Sequence, residues 1–222
     1  PSSFAQLHEL GSLRMDYNML VGPLPPELAN LTGLSDLDLG YNKLWSDDAA
    51  LTVYLDAKDA DWAATQTIPP SGLVATVVEG GAHLTWEPIA YTADDGGYQF
   101  HLSTTSGGPY TGVAATSSKL VTETVISGLE PGATYYLVAQ TFTHAHGLQR
   151  SFLLSPLGEE VSFTTTPLPV APIAVSIGGP PEGMIDTSYT FSATVSPEDV
   201  TMPLAHTWSP TPVSGQGTPT AT

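Results

Sequence analysis

The chain has 222 residues, 41% of them hydrophobic, with 22 acidic side chains against 5 basic ones and a formal charge of −17. That length leaves room for about two domains with cores of their own. A field this negative repels phosphate backbones and anionic membrane surfaces, so nucleic-acid and lipid binding are disfavoured. The absence of cysteine removes disulfides, thiolate metal sites and cysteine nucleophiles.

Charged residues make up 12% of the chain, about half the usual share of ~25%. The polar surface is therefore built from Thr, Ser, Gly, Pro and Gln, a composition that points to a secreted, β-rich protein. The surplus acids are expected to be solvated faces. No apolar run approaches the roughly 18 residues of a membrane span. No signal peptide is visible, Pro1 does not look like a natural start, and the chain is expected to be a mature or excised portion of something longer.

The first segment repeats. Leu10, Leu13, Met15, Tyr17, Asn18 and Leu20 recur 24 residues later as Leu34, Leu37, Leu39, Tyr41, Asn42 and Leu44. Phe4 and Leu7 stand at the same interval before Leu28 and Leu31. Leu13 and Met15 alternate as on a strand, with both side chains on one face. Asn18 ends that strand, and its amide is expected to bond backbone groups of the adjacent coil, the first rung of an asparagine ladder. An amphipathic helix is incompatible with Pro23, Pro25 and Pro26. The unit L-x-x-L-x-[LM]-x-Y-N-x-L resembles the leucine-rich repeat family, and Leu20 to Pro25 (L-x-G-x-[IL]-P) resembles its plant-type class.

After Leu44 the period reads as failing. Leu51, Val53 and Leu55 lead into Asp59-Ala60-Asp61-Trp62, taken as a C-terminal cap. So few coils bury little core, so the array is expected to extend upstream. The resemblance implies that the inner, strand-lined face binds partners. Its outward positions here are Ser12, Arg14 and Asp16 on one coil, beside Asp36 and Asp38 on the next. Arg14 and Asp38 hold equivalent places and are expected to pair across the ladder.

Ile68-Pro69-Pro70-Ser71 reads as a linker, after which short strands alternate with turns. Strands are expected around Leu84 and Trp86, Tyr98 to Leu102, Tyr135 to Ala139, and Val161 to Phe163, with turns at Asp94-Asp95-Gly96-Gly97 and Ser106-Gly107-Gly108-Pro109. That spacing indicates an antiparallel sandwich. The run Leu129-Glu130-Pro131-Gly132-Ala133-Thr134-Tyr135 resembles the fibronectin type III pattern. The resemblance implies that the Tyr135 hydroxyl bonds backward to the backbone and that Trp86 anchors the core. The Arg-Gly-Asp adhesion motif is absent.

Pro167-Leu168-Pro169-Val170-Ala171-Pro172 reads as a stiff linker. Beyond it, Ile173 to Ile177, Tyr189 to Val195 and Ala205 to Trp208 read as strands, with Trp208 as anchor and a threonine-rich end from Thr218 to Thr222. This resembles the first half of an immunoglobulin-like repeat of bacterial secreted surface proteins. Truncation and completion by another chain both account for the missing half; the second would leave an assembly edge.

The fold expected is therefore mainly β, in three parts. Residues 1–67 form a leucine-rich repeat solenoid end with its cap, 68–166 a fibronectin type III β-sandwich, and 167–222 a proline-rich linker with an incomplete immunoglobulin-like β-sandwich. No catalytic residue, metal site or cofactor is assigned. His144 and His146 lack a third ligand, and Asp56, Asp59 and Asp61 lack the calcium-loop pattern. The sequon Asn30-Leu31-Thr32 permits glycosylation. The expected function is non-catalytic extracellular binding and display, with a protein or polysaccharide ligand on Ser12, Arg14, Asp16, Asp36 and Asp38. Two alternatives stand beside it: a self-associating filament subunit, and accessory domains of a secreted polysaccharide-degrading enzyme.

Overall fold

The structure, a computed structural model, describes residues 6–180, 187, 189–197, 201–202 and 220–221. Phe4, the expected strand at 205–208 with Trp208, Thr218 and Thr222 lie outside the described residues. The chain is mainly β and divides into two compact units, residues 1–166 and 167–222.

The first unit begins with two stacked coils. Strand β1 (Ser12–Arg14) runs parallel to β3 (Asp36–Asp38), with Leu13 opposite Leu37, so sequence period and strand register coincide. On the other side β2 (Val21–Pro23) runs parallel to β4 (Lys43–Trp45). Each coil turns at a tyrosine in the left-handed region, with φ 52° at Tyr17 and 57° at Tyr41. That conformation is uncommon for a residue with a Cβ. It brings the two rings face to face, 4.2 Å apart and 8° from parallel. Leu24, Leu31, Leu34 and Leu39 fill the space between the strand pairs.

The Leu51 to Leu55 segment is helical. Helix α1 (Ala49–Asp56) starts at Asp48, whose carboxylate accepts the Leu51 N–H at 2.8 Å, a cap worth about 1 kcal/mol. Leu51 and Leu55, one turn apart, are buried, whereas Val53 faces solvent. Trp62 closes the stack and its indole N–H donates to Asp56 at 2.9 Å.

The amide ladder corrects two expectations. Asn18 is exposed and donates only within its own coil, to the carbonyls of Met15 and Asp16. Asn42 makes the buried rung: Nδ2 donates to the carbonyls of Met15, Leu39 and Gly40, and Oδ1 accepts the Leu20 N–H. The period, moreover, does not end at Leu44. Gln66 stands 24 residues after Asn42 and repeats its bonds one coil on, donating to Leu39 and Trp62 and accepting from Leu44 N–H. Leucine spacing hides this because the apolar positions lapse in the cap while the amide position persists as glutamine.

The sandwich follows without a free linker. Ile68 packs against the sandwich core, Pro70 is buried, and Ser71 already opens a strand. Thr67 and Thr143 share a buried hydroxyl–hydroxyl hydrogen bond of 2.7 Å between coil and sandwich. One sheet holds β5 (Ser71–Val78), β6 (Gly81–Glu87) and β9 (Glu123–Ser127), with β6 in the middle. The other is built on β7 (Gly96–Ser103) and β10 (Thr134–Thr143). There β8 (Thr111–Ala115) pairs with β7, while β11 (Leu153–Leu154) and β12 (Val161–Thr164) pair with β10. Every pairing is antiparallel.

Trp86 is buried, with its ring centre 4.7 Å from Phe100 and 5.3 Å from Tyr98. The Tyr135 hydroxyl accepts the Glu130 N–H at 3.0 Å, the backward bond that the sequence leads one to expect. Gly96 and Gly97 depart from expectation: they open β7 and are not part of the turn. A Cβ on Gly96 would stand 2.1 Å from the Phe142 carbonyl oxygen, and one on Gly97 2.4 Å from that of Thr116. Close strand approach is the reason for both glycines.

The second unit contains β13 (Ala174–Gly178), β14 (Phe191–Ser196) and β15 (Thr220–Ala221), antiparallel in that order. Val175 lies opposite Val195 and Ile177 opposite Ala193. Ile173, Val175 and Ile177 are all largely exposed. The expected strand from Tyr189 begins at Phe191, and Ala221 in the threonine-rich end pairs with Phe191.

Candidate binding face

Four of the five residues singled out on the coils come together. On the outward side of β1 and β3, the Arg14 guanidinium donates twice to Asp36, from Nη2 to Oδ1 at 2.8 Å and from Nε to Oδ2 at 3.0 Å. Ser12 adds a third bond to Oδ2 at 2.8 Å. Asp38, the expected partner, stands at 3.7 Å from Nη1. Register places Arg14 opposite Asp38, but the planar fork reaches a carboxylate edge squarely only at the diagonal Asp36. Asp38 turns instead to the Gly40 N–H, 3.2 Å away.

The Arg14 and Ser12 hydrogen bonds hold the Asp36 carboxyl below its ordinary range. Asp36 in turn raises the Arg14 guanidinium, helped by the charges of Asp38 and Asp16. Asp16 joins the face through that field, while its backbone carbonyl receives Asn18.

Toward the cap, the face deepens into a cavity of about 440 Å³ lined by Arg14, Tyr17, Asp38, Tyr41, Lys58 and Thr65, among others. Asp59 forms part of its floor, accepting the Leu39 N–H at 2.8 Å. Burial pushes the Asp59 carboxyl up to about 6, with Asp61 and Asp38 adding to the rise. The acidic run is thus spent on the cap: Asp56 on Trp62, Asp59 on the Leu39 backbone. Among the described residues no cluster of three or more potential ligands could hold a metal ion.

His144 and His146 do not face a common point. His146 Nε2 lies 2.8 Å from the Tyr91 hydroxyl and 3.3 Å from Asp94, and its Nδ1 meets the His144 carbonyl. The His144 ring packs against Phe142 and Phe152. His146 belongs to a joint between sandwich and coils that the sequence did not reveal. Tyr41 packs edge-on to Tyr91 at 5.7 Å. The buried Gln149 side chain donates to the carbonyls of Asn18 and Tyr41, at 2.8 and 2.9 Å. Lys119 is buried behind Tyr91, its ammonium 3.8 Å from the ring centre and, among the described residues, without a hydrogen-bond partner. Burial pulls that amine down to about 8, against the opposing pull of Asp94 and Asp95. No sequence signal singles out a lone Lys or Gln for such a place.

No protein-family model and no curated protein matches the chain. Among solved structures, a β-1,2-glucanase from Parabacteroides distasonis matches at 22% identity with a TM-score of 0.37, over 47% of this chain and 13% of its own. An Fn3-like protein from Clostridium thermocellum matches at 26% and 0.36, over 46% of this chain and 96% of its own. The fn3 domain of human contactin 1 matches at 12% and 0.37, over 45% and 78%. The chain thus spans only a small part of the glucanase, and TM-scores of this size carry no weight for function. The chain is mainly β, and its structural neighbours are fibronectin type III-like β-sandwich domains. Such domains are common in extracellular and accessory modules, and the fold does not fix which. Among the described residues no helix is long and apolar enough to cross a membrane.

Proposed function

We propose that the chain is a non-catalytic, extracellular binding and display module. In this reading the coils are the end of a leucine-rich repeat array whose inner face contacts a protein or polysaccharide. The fibronectin type III-like sandwich holds that face away from the surface to which the parent protein belongs. The observation that carries the reading is the Ser12–Arg14–Asp36–Asp38 lattice, exposed and already ordered beside a polar cavity. Charged side chains fixed before a partner arrives lose less freedom on binding, which favours a recognition surface.

The test is an array of extracellular proteins and polysaccharides probed with the chain and with Arg14→Ala. Arg14 lies at the surface, so the variant keeps its circular dichroism spectrum. A ligand retained by the parent chain and bound about tenfold more weakly by the variant is the expected result, since a charge-assisted contact at such a face is worth about 1.4 kcal/mol. Equal binding by both chains would remove the inner face from the account.

One observation favours a second reading, a filament subunit. Ile173, just before β13, and Val175 and Ile177 on it present an apolar row, with exposures of 86, 62 and 66%, and such sheet surfaces invite association.

A further inference from the structure

A cavity of the first unit lies where the coil end meets the sandwich, away from the inner face. It measures about 680 Å³. Trp45 and Asp47 form one wall, the chain from Ile68 to Leu73 another, and Pro156 to Glu159 with Val161 the third. Its lining is mostly apolar, and no basic residue contributes to it. Trp45 is held in place by its backbone, with Pro23 opposite it in the register and its carbonyl accepting the Leu24 N–H. Leu157 remains 46% exposed at the mouth. Asp47 and Glu159 are both exposed, one from the coil side and one from the sandwich side.

The backbone gives a second clue. In the β5–β6 pairing Ser71 is opposite Glu87 and Val74 opposite Thr85, so Gly72 and Leu73 have no register partner. Gly72 takes a left-handed φ of 61°, and both residues line the groove. A break in the strand register beside an aromatic ring and prolines suits an extended chain that pairs by its own backbone. A sugar ring needs a dense set of polar side chains instead, and this lining does not supply it.

We propose that this groove docks an extended peptide segment of a partner protein, with an apolar side chain seated against Trp45, Pro69, Pro70 and Leu157 and basic residues flanking it. The charge complementarity is direct: Asp47 and Glu159 stand at the rim of a chain carrying −17 overall, which draws a cationic segment in and turns an acidic one away. The groove and the inner face are separate surfaces, and each stands if the other fails.

The experiment titrates the full chain with acetyl-Lys-Pro-Leu-Val-Lys-amide, and with the same peptide carrying glutamate for lysine, following amide and indole resonances by NMR. The lysine peptide is expected to shift the Trp45 indole N–H and the amides of Gly72, Leu73 and Glu159, while the glutamate peptide leaves them in place. Asp47→Asn with Glu159→Gln, both at exposed sites and harmless to folding, is expected to weaken the lysine peptide about tenfold, two rim charge pairs at the upper end of their usual worth. Absence of any shift, equal shifts from the two peptides, or undiminished affinity in the double variant would overturn the proposal.

Discussion

Asn42→Ala is expected to destabilise the first unit by about 3–5 kcal/mol, while Asn18→Ala costs less than about 1 kcal/mol. The two residues occupy the same place in successive coils, so the difference isolates burial and bonding from sequence pattern. Asn42 is fully buried, donates to three carbonyls and accepts the Leu20 N–H. Alanine would remove four hydrogen bonds inside the stack, each worth about 1 kcal/mol, and leave the Leu20 N–H without its acceptor, while the Leu39 and Gly40 carbonyls keep the Gln66 amide and the Tyr17 N–H. Asn18 is exposed, and water replaces its bonds at little cost. Denaturant unfolding followed by tryptophan fluorescence, with Trp45 and Trp62 as coil reporters, measures both. Equal losses from the two substitutions would contradict the ladder.

Lys119→Met is expected to stabilise the chain by about 1–2 kcal/mol at pH 7 and to remove a pH dependence that the parent chain shows above pH 8. Burial brings the Lys119 amine down to about 8, a displacement of about 3 kcal/mol against an exposed lysine. The contact with the Tyr91 ring offsets about 1–2 kcal/mol of that. In the folded state the amine loses its proton near pH 8, whereas in the unfolded chain it keeps it until about 10.4. Between those values unfolding takes up a proton, so stability rises with pH across that window and is flat below it, as far as this group is concerned. Methionine keeps the packing over Gly96, whose backbone Lys119 approaches closely, and has no proton to exchange. Thermal unfolding from pH 7 to 10 reads the effect. A Tm of the parent chain that does not climb relative to Lys119→Met above pH 8 would show that the amine is solvated.

These two sites also mark how far the sequence carries. Repeat spacing places Leu13 opposite Leu37 and Asn18 before Asn42 because a parallel coil translates one residue onto its equivalent. It does not separate the buried asparagine from the exposed one, which depends on whether another coil lies against it. The continuation at Gln66 is hidden for a related reason: its amide reaches the Leu39 carbonyl, as that of Asn42 does, from a chain whose leucines have given way to the cap. Strand alternation locates Trp86, Tyr98, Phe100 and Tyr135, since a two-residue period with one apolar face admits few alternatives.

Gly96 and Gly97 mislead because glycine serves both turns and close strand approaches. The binding face is legible as a set of positions, but the choice of Asp36 over Asp38 by Arg14 is a matter of side-chain reach across the ladder. The joint at Tyr91, His146, Gln149 and Lys119 has no local signature, because its members come from three loops far apart in the chain.

Electron microscopy of the native preparation beside the same chain expressed alone tests the central claim, that this is a module which binds and displays and does not polymerise. Separate particles are expected in both samples, with no regular repeat along any axis. Filaments with a regular subunit spacing in either sample would contradict it and make assembly through the exposed β13 row the function to pursue.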